Sequence, residues 1–123
     1  MRVALARIIV TTVANYRADT MVTSADNPMG TDGFEFVEYT APDPALLRTL
    51  FTRMGFPVTA RHRSKDVTLH RQGDVNFLIN AEPDSFARAF AAKHGPSACA
   101  MAFRVRDAAR AFERAIALGA TPH

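Results

Sequence analysis

The sequence predicts an α+β fold in which a βαβββ unit is followed by the first βα of a second, truncated unit. Three observations predict it. Strand-forming runs and amphipathic runs follow one another in the order strand, helix, three strands, helix, strand, helix. Asp43, Met54 and Gly55 are matched by Asp107, Leu118 and Gly119, each one constant step further along the chain. The three middle strands are separated by short polar turns of the kind that join antiparallel neighbours.

Each element has its own local reasons. Residues 33–39, Gly-Phe-Glu-Phe-Val-Glu-Tyr, begin with apolar–polar alternation and are rich in strand formers. Asp43-Pro44 then offers an N-cap and a proline at the first helical position. Leu46, Leu47, Leu50, Phe51 and Met54 follow at helical spacing, opposite Arg48, Thr49, Thr52 and Arg53. Gly55 ends that helix in the left-handed conformation. Strands follow at 58–62, 67–71 and 75–80, parted by 63–66 and by Gln72-Gly73-Asp74. Ser85 caps a helix over 85–94 whose predicted apolar stripe is Phe86, Ala89 and Phe90, stopped by Gly95-Pro96. Residues 99–105 form the next strand. Asp107 caps the last helix, with Ala108, Ala111, Phe112 and Ala115 on one face and Gly119 as its stop. The expected organisation is an extension over 1–26, a first module with its linker helix over 27–96, and an incomplete second module over 97–123. A lone βαβββ unit leaves a sheet edge uncovered and should need a partner module.

The segment 1–20 stands apart, with Arg2, Arg7 and Arg17 against Asp19. Its apolar run, 3–14, is broken by Arg7, is too short to span a membrane and lacks a small-x-small cleavage site. It loosely resembles an organelle transit peptide. The simpler reading is a disordered extension or a mis-assigned start, with Met21 the initiator.

Composition narrows the function classes. A 48% hydrophobic chain with 22% charge suits one soluble domain with a modest core. The single cysteine, Cys99, has no internal partner for a disulfide, so a cytoplasmic protein is expected and Cys99 reads as a small buried hydrophobe. The net charge of +3 falls to +1 once the segment 1–20 is set aside. What remains is one short cluster, Arg61, His62, Arg63 and Lys65, with Arg71 further on. A phosphate-binding surface needs many convergent cations, so neither nucleic acid nor membrane is expected as a partner.

A βαβββ repeat resembles the vicinal-oxygen-chelate (glyoxalase-like) superfamily, whose paired modules curl into a cup around a metal. A narrower match lies in short blocks. Asn27-Pro28-Met29-Gly30 and Gly33-Phe34-Glu35-Phe36 resemble the opening of bacterial 4-hydroxyphenylpyruvate dioxygenases. So do His62-Arg63-Ser64-Lys65, Arg71-Gln72-Gly73-Asp74, Asn80-Ala81-Glu82-Pro83, His94-Gly95-Pro96-Ser97 and Ala102-Phe103-Arg104-Val105, in the family's order and spacing. The resemblance implies an iron(II) dioxygenase of tyrosine catabolism that converts 4-hydroxyphenylpyruvate and dioxygen to homogentisate and carbon dioxide. It also implies iron ligands, two histidines and a glutamate, in a carboxy-terminal domain beyond His123. That domain is the expected partner, within a homo-oligomer.

No catalytic, cofactor-binding or metal-binding residue is expected in this chain. The superfamily puts a His on a module's first strand and a Glu on its last. Here the first strand offers Phe34, Glu35, Phe36 and Glu38, and the fourth Asn76 and Asn80, with Glu82 beyond. Oxygens without an imidazole could suit a hard cation but not iron. His62 and His70 have arginines beside them, His94 ends a helix and His123 ends the chain. Glu35 and Glu38, three apart on a strand, are expected on opposite faces, with Glu35 either capping a core edge or pairing with an arginine. Ser64, Ser85 and Ser97 lack a nucleophile-elbow pattern, and no phosphate-cradling glycine loop appears. The expected function is therefore the inactive structural amino-terminal part of the dioxygenase. The alternatives are a free-standing module with a small ligand in its cup, or the same part of hydroxymandelate synthase or of a dehydratase-fused relative.

Overall fold

The computed structural model describes residues 25–122; the extension up to residue 24, including Met21, and His123 lie outside the described residues. The chain forms β1 (Thr31–Thr40), α1 (Pro44–Arg53), β2 (Val58–Arg61), β3 (Val67–Gln72), β4 (Val75–Asn80), α2 (Phe86–His94), β5 (Ser97–Val105) and α3 (Ala108–Ala117). This is the predicted order, an α+β arrangement on one mixed sheet. The strands lie in the order β2-β3-β4-β1-β5, with β4 parallel to β1 and every other pairing antiparallel. Among the described residues no helix is long and apolar enough to cross a membrane.

Element ends shift by one or two positions. β1 starts at Thr31 and β5 at Ser97, because the β1–β5 ladder runs from Thr31 opposite Val105 to Thr40 opposite Ser97. β2 stops at Arg61 rather than 62, where the chain turns and His62 N–H bonds the Val67 carbonyl at 2.9 Å.

The helix stripes need larger corrections. In α1 the buried residues are Leu47 and Phe51, while Leu46, Leu50 and Met54 remain exposed. One row of side chains suffices to pack α1 on the sheet; the flanking row stays in water. In α2 the predicted stripe of Phe86, Ala89 and Phe90 is rotated away from the sheet, and Ala87 and Ala91 are buried instead. Small side chains let the helix backbone come close to β1 and β5, where Ala100 and Ala102 are buried. In α3 Ala111 alone is buried, Phe112 being 46% exposed.

The core lies between α1 and one face of the sheet. Leu47, Phe51, Phe56, Ala41 and Ile79 form it, with Tyr39 and Phe77 packed against them. Tyr39 meets Phe51 and Phe77 edge-on at 5.1 and 5.2 Å, and Phe56 stacks on Phe77 at 4.5 Å. Burying Phe51 and Phe56 contributes about 1.5–3 kcal/mol each.

The internal repeat is visible in the hydrogen bonds. At the end of α1, Gly55 N–H bonds Thr52 O and Phe56 N–H bonds Phe51 O. At the end of α3, Gly119 N–H bonds Ile116 O and Ala120 N–H bonds Ala115 O. These are two copies of one helix-ending motif, separated by the repeat step that takes Asp43 to Asp107. Gly55 and Gly119 take the positive φ it requires, 87° and 95°. In the β1–β5 ladder Val37 lies opposite Met101, its own counterpart at that step. The two βα units are thus related by a local two-fold axis through that pair.

Candidate functional site

The candidate site is the sheet face that α1 leaves uncovered, because the polar side chains of the first and fourth strands, Glu38, Asn76 and Asn80, alternate with the core residues Tyr39, Phe77 and Ile79. Tyr39 and Ala41 pack toward α1, so Thr40 between them points the other way. Its hydroxyl donates to the Ala87 carbonyl oxygen at 3.1 Å. We read α2 as lying against this second face, held also by the Arg88 guanidinium on the Pro42 carbonyl at 3.1 Å. A cup open for a small ligand, which the free-standing-module reading needs, is narrowed by a helix at that end.

Two one-residue bulges shape what the face presents. Phe34 pairs with Phe103 and Phe36 with Ala102, leaving Glu35 as an extra residue on β1. Glu38 pairs with Ala100 and Tyr39 with Ala98, leaving Cys99 extra on β5. A bulge re-aims its extra side chain. Glu35 therefore joins Glu38 on one face, contrary to the expectation of opposite faces from uninterrupted strand alternation.

The two carboxylates still do not form a pair, because each has its own partners. Glu38 is buried, and its Oε1 accepts from Asn80 Nδ2 at 2.8 Å and from the Cys99 thiol at 3.8 Å. Cys99 also lies 3.5 Å from the Glu38 carbonyl oxygen. A buried carboxylate needs such donors to offset lost hydration. Glu35 Oε2 accepts from Arg104 Nε at 2.9 Å, the arginine partner expected for it. That hydrogen bond, opposed by partial desolvation and reinforced by the charges of Glu35, Asp32 and Asp74, raises the Arg104 guanidinium above its ordinary range.

Sequence reasoning missed the rest of this arrangement. Arg71 Nε donates to Asn76 Oδ1 at 2.7 Å, and Asn76 Nδ2 donates to the Glu35 carbonyl at 2.9 Å. Arg71, Asn76, Glu35 and Arg104 thus form one hydrogen-bonded row across β3, β4, β1 and β5. Its members are drawn from distant parts of the sequence, and no local motif announces it.

The oxygens considered for a hard cation are engaged. Asn80 Oδ1 accepts from Glu82 N–H at 3.0 Å, Asn76 Oδ1 is held by Arg71, and Glu82 Oε2 accepts from Asp66 N–H at 2.8 Å. The histidines do not converge. His70 is fully buried in the α1-side core, with its Nδ1 3.0 Å from the Phe56 carbonyl oxygen. A carbonyl can only accept, so Nδ1 carries a hydrogen toward it, and Nε2 lies 3.3 Å from Thr68 Oγ1. His62 is exposed and its Nδ1 accepts from Ser64 N–H at 3.2 Å, while His94 packs on Phe90 at 4.4 Å. Ser85 caps α2 through Arg88 N–H, and Ser97 donates to Gly95 O. Among the described residues no three His, Cys, Asp or Glu side chains are grouped to hold a metal.

Comparison with known proteins identifies a family for this chain. Residues 25–123 match the family of hydroxyphenylpyruvate dioxygenase amino-terminal domains. The chain is 56% identical over 97 residues to a 4-hydroxyphenylpyruvate dioxygenase from Pseudomonas sp. (strain P.J. 874), covering 79% of this chain and 27% of that protein. It is 58% identical over 99 residues to hemolysin VllY of Vibrio vulnificus, covering 78% of this chain and 28% of that one. Among solved structures, a xylose isomerase-like TIM barrel/4-hydroxyphenylpyruvate dioxygenase fusion protein matches with a TM-score of 0.68 and 45% identity, over 76% of this chain and 15% of that one. The chain spans about a quarter of the length of these curated relatives.

Proposed function

Since this chain belongs to the family of hydroxyphenylpyruvate dioxygenase amino-terminal domains, we propose that it is the structural amino-terminal part of an iron(II)-dependent 4-hydroxyphenylpyruvate dioxygenase. The reaction assigned to the whole protein joins 4-hydroxyphenylpyruvate and dioxygen to give homogentisate and carbon dioxide. The observation that carries this reading is the 56% identity over 97 residues, on a segment that makes up 27% of the dioxygenase relative.

The described residues do not fit the iron. A facial triad needs two imidazoles and a carboxylate with open positions between them. Both ring nitrogens of His70 have partners inside the core, His62 lies in the β2–β3 turn and His94 at the end of α2, and Glu38 is held by Asn80. No step of the reaction is therefore assigned to these side chains; iron binding and substrate chelation belong to the carboxy-terminal domain. The role of this chain is to build the first module and carry interdomain contacts, in a cytoplasmic homo-oligomer. The domain division is the one drawn from the sequence, 27–96 and 97–123. A second reading, the same part of a fused relative, is favoured by the 45% match to a fusion protein.

The test is an anaerobic iron(II) titration of the purified chain, followed by assay of carbon dioxide release from 4-hydroxyphenylpyruvate. No binding and no turnover are expected from the chain alone, and turnover is expected once the downstream polypeptide is joined to it. Turnover by the chain alone overturns the reading.

A further inference from the structure

The sheet face opposite α1 is covered unevenly. α2 packs on β1 and β5, so the half built by β3 and β4 has no helix over it among the described residues. Strand alternation puts Leu69 and Leu78 on this half, in line with Arg71 and Asn76 and out of step with His70 and Phe77 on the core side. Leu69 lies directly opposite Leu78, and Phe36 stands beside them on β1, two residues before Glu38. All three are half-buried, which makes an apolar floor that water still reaches. Arg71 follows Leu69 by two residues, about 6.5 Å along the strand. Its Nε donates to Asn76 Oδ1 at 2.7 Å, and Asn76 is itself fixed on the Glu35 carbonyl at 2.9 Å. Arg71 makes no other side-chain bond among the described residues, so the guanidinium is held in place while both its Nη groups stay free. The two arginines of the row differ in this respect. Arg104 is matched by Glu35, with the charges of Asp32 and Asp74 near it, whereas Arg71 has only a neutral partner.

The geometry points to a binding site for an aryl monocarboxylic acid on this half of the face, its carboxylate on the two Nη groups of Arg71 and its ring on Leu69, Leu78 and Phe36. A carboxylate takes two parallel hydrogen bonds from one edge of a guanidinium, and with Nε committed to Asn76 the Nη edge is the one available. The two-residue step from Arg71 to Leu69 suits a ring joined to its carboxylate by one or two carbons. A neutral apolar ligand would cover the guanidinium without pairing it, which costs free energy. A second negative charge would meet Glu35 in the same row, so the site accommodates one. The inference does not rest on the proposed function and involves no iron.

The probe is sodium 3-phenylpropanoate, titrated into the purified chain and followed by amide and methyl NMR shifts. A small ligand on an open face should saturate with a Kd on the order of 1 mM. The shifts should gather at Phe36, Leu69, Arg71 and Leu78 and be absent at Leu47 and Phe51 on the α1 side. The uncharged amide of the same shape, 3-phenylpropanamide, should bind about ten-fold more weakly. Arg71→Gln should weaken binding of the acid by a similar factor and leave that of the amide unchanged. This pair of readouts separates a lost anion partner from a disturbed sheet, which would weaken both. Arg71 is exposed, so the variant should fold. Arg61→Gln, which removes an exposed cation at the end of β2, should leave binding of the acid as it was. Shifts that grow without saturating well past the expected Kd, equal affinity for acid and amide, shifts centred on the α1 side, or indifference to Arg71→Gln would each overturn the proposal.

Discussion

The two βα units of this chain are one design in two settings. Both helices start from an aspartate cap, Asp43 on Ala45 N–H and Asp107 on Arg110 N–H, each at 3.0 Å. Both end in the same glycine motif. Yet α1 buries Leu47 and Phe51 against β4 and its neighbours, while α3 buries one alanine. The comparison separates two sources of order. Caps are set by residues within a turn of the helix end and recur wherever those residues recur. Burial depends on what strand lies beneath, and that differs.

The largest expected effect tests this contrast directly. Phe51→Ala, which removes a ring touching Tyr39, Phe77 and His70, should cost about 3–5 kcal/mol in urea unfolding. Phe112→Ala on α3 should change stability by about 0.5 kcal/mol or less. Comparable losses at both would erase the distinction. Next comes His70→Leu, which strips partners from the Phe56 carbonyl and the Thr68 hydroxyl. About 2–3 kcal/mol should be lost, whereas a histidine poised for a ligand would be dispensable to folding.

Smaller effects sharpen the comparison at the caps. Asp43→Ala should lower global stability by about 1 kcal/mol. The same change at Asp107 should appear as faster amide exchange along α3 with little shift of the unfolding midpoint, because local fraying costs less than global unfolding where packing is sparse. Smallest is the difference between Gly55→Ala and Gly119→Ala. Each should cost about 1 kcal/mol locally for an L-residue at positive φ. An added Cβ at Gly55 meets the end of the exposed Gln72 side chain at 2.5 Å, and at Gly119 it meets nothing. Gln72 can swing away, so the local costs should agree within about 0.5 kcal/mol. A much larger penalty at Gly55 would show that the two motifs are not equivalent.

These expectations also mark what could be read from the sequence. Element order, caps, stops and the repeat linking Asp43 to Asp107 were legible because each depends on near neighbours such as Asp43-Pro44 or Gly95-Pro96. Leu46, Leu50 and Met54 misled because apolar spacing shows which faces could be buried, not which will find a partner. Ala87 and Ala91 were passed over because a small side chain carries little hydrophobic signal, although it permits the closest approach. The candidate site was legible in what it lacks, a histidine on the first strand. Its actual construction was not, since the bulges at Glu35 and Cys99 are products of pairing between β1 and β5, strands from opposite ends of the described chain. The Arg71–Asn76–Glu35–Arg104 row is written in four separate strands.

The alanines of α2 have one more consequence. With Ala87 and Ala91 all but fully buried, there is no room at either for an added methylene without lifting the helix from the strands beneath. Such a lift would part the Thr40 hydroxyl from the Ala87 carbonyl that it reaches across the interface.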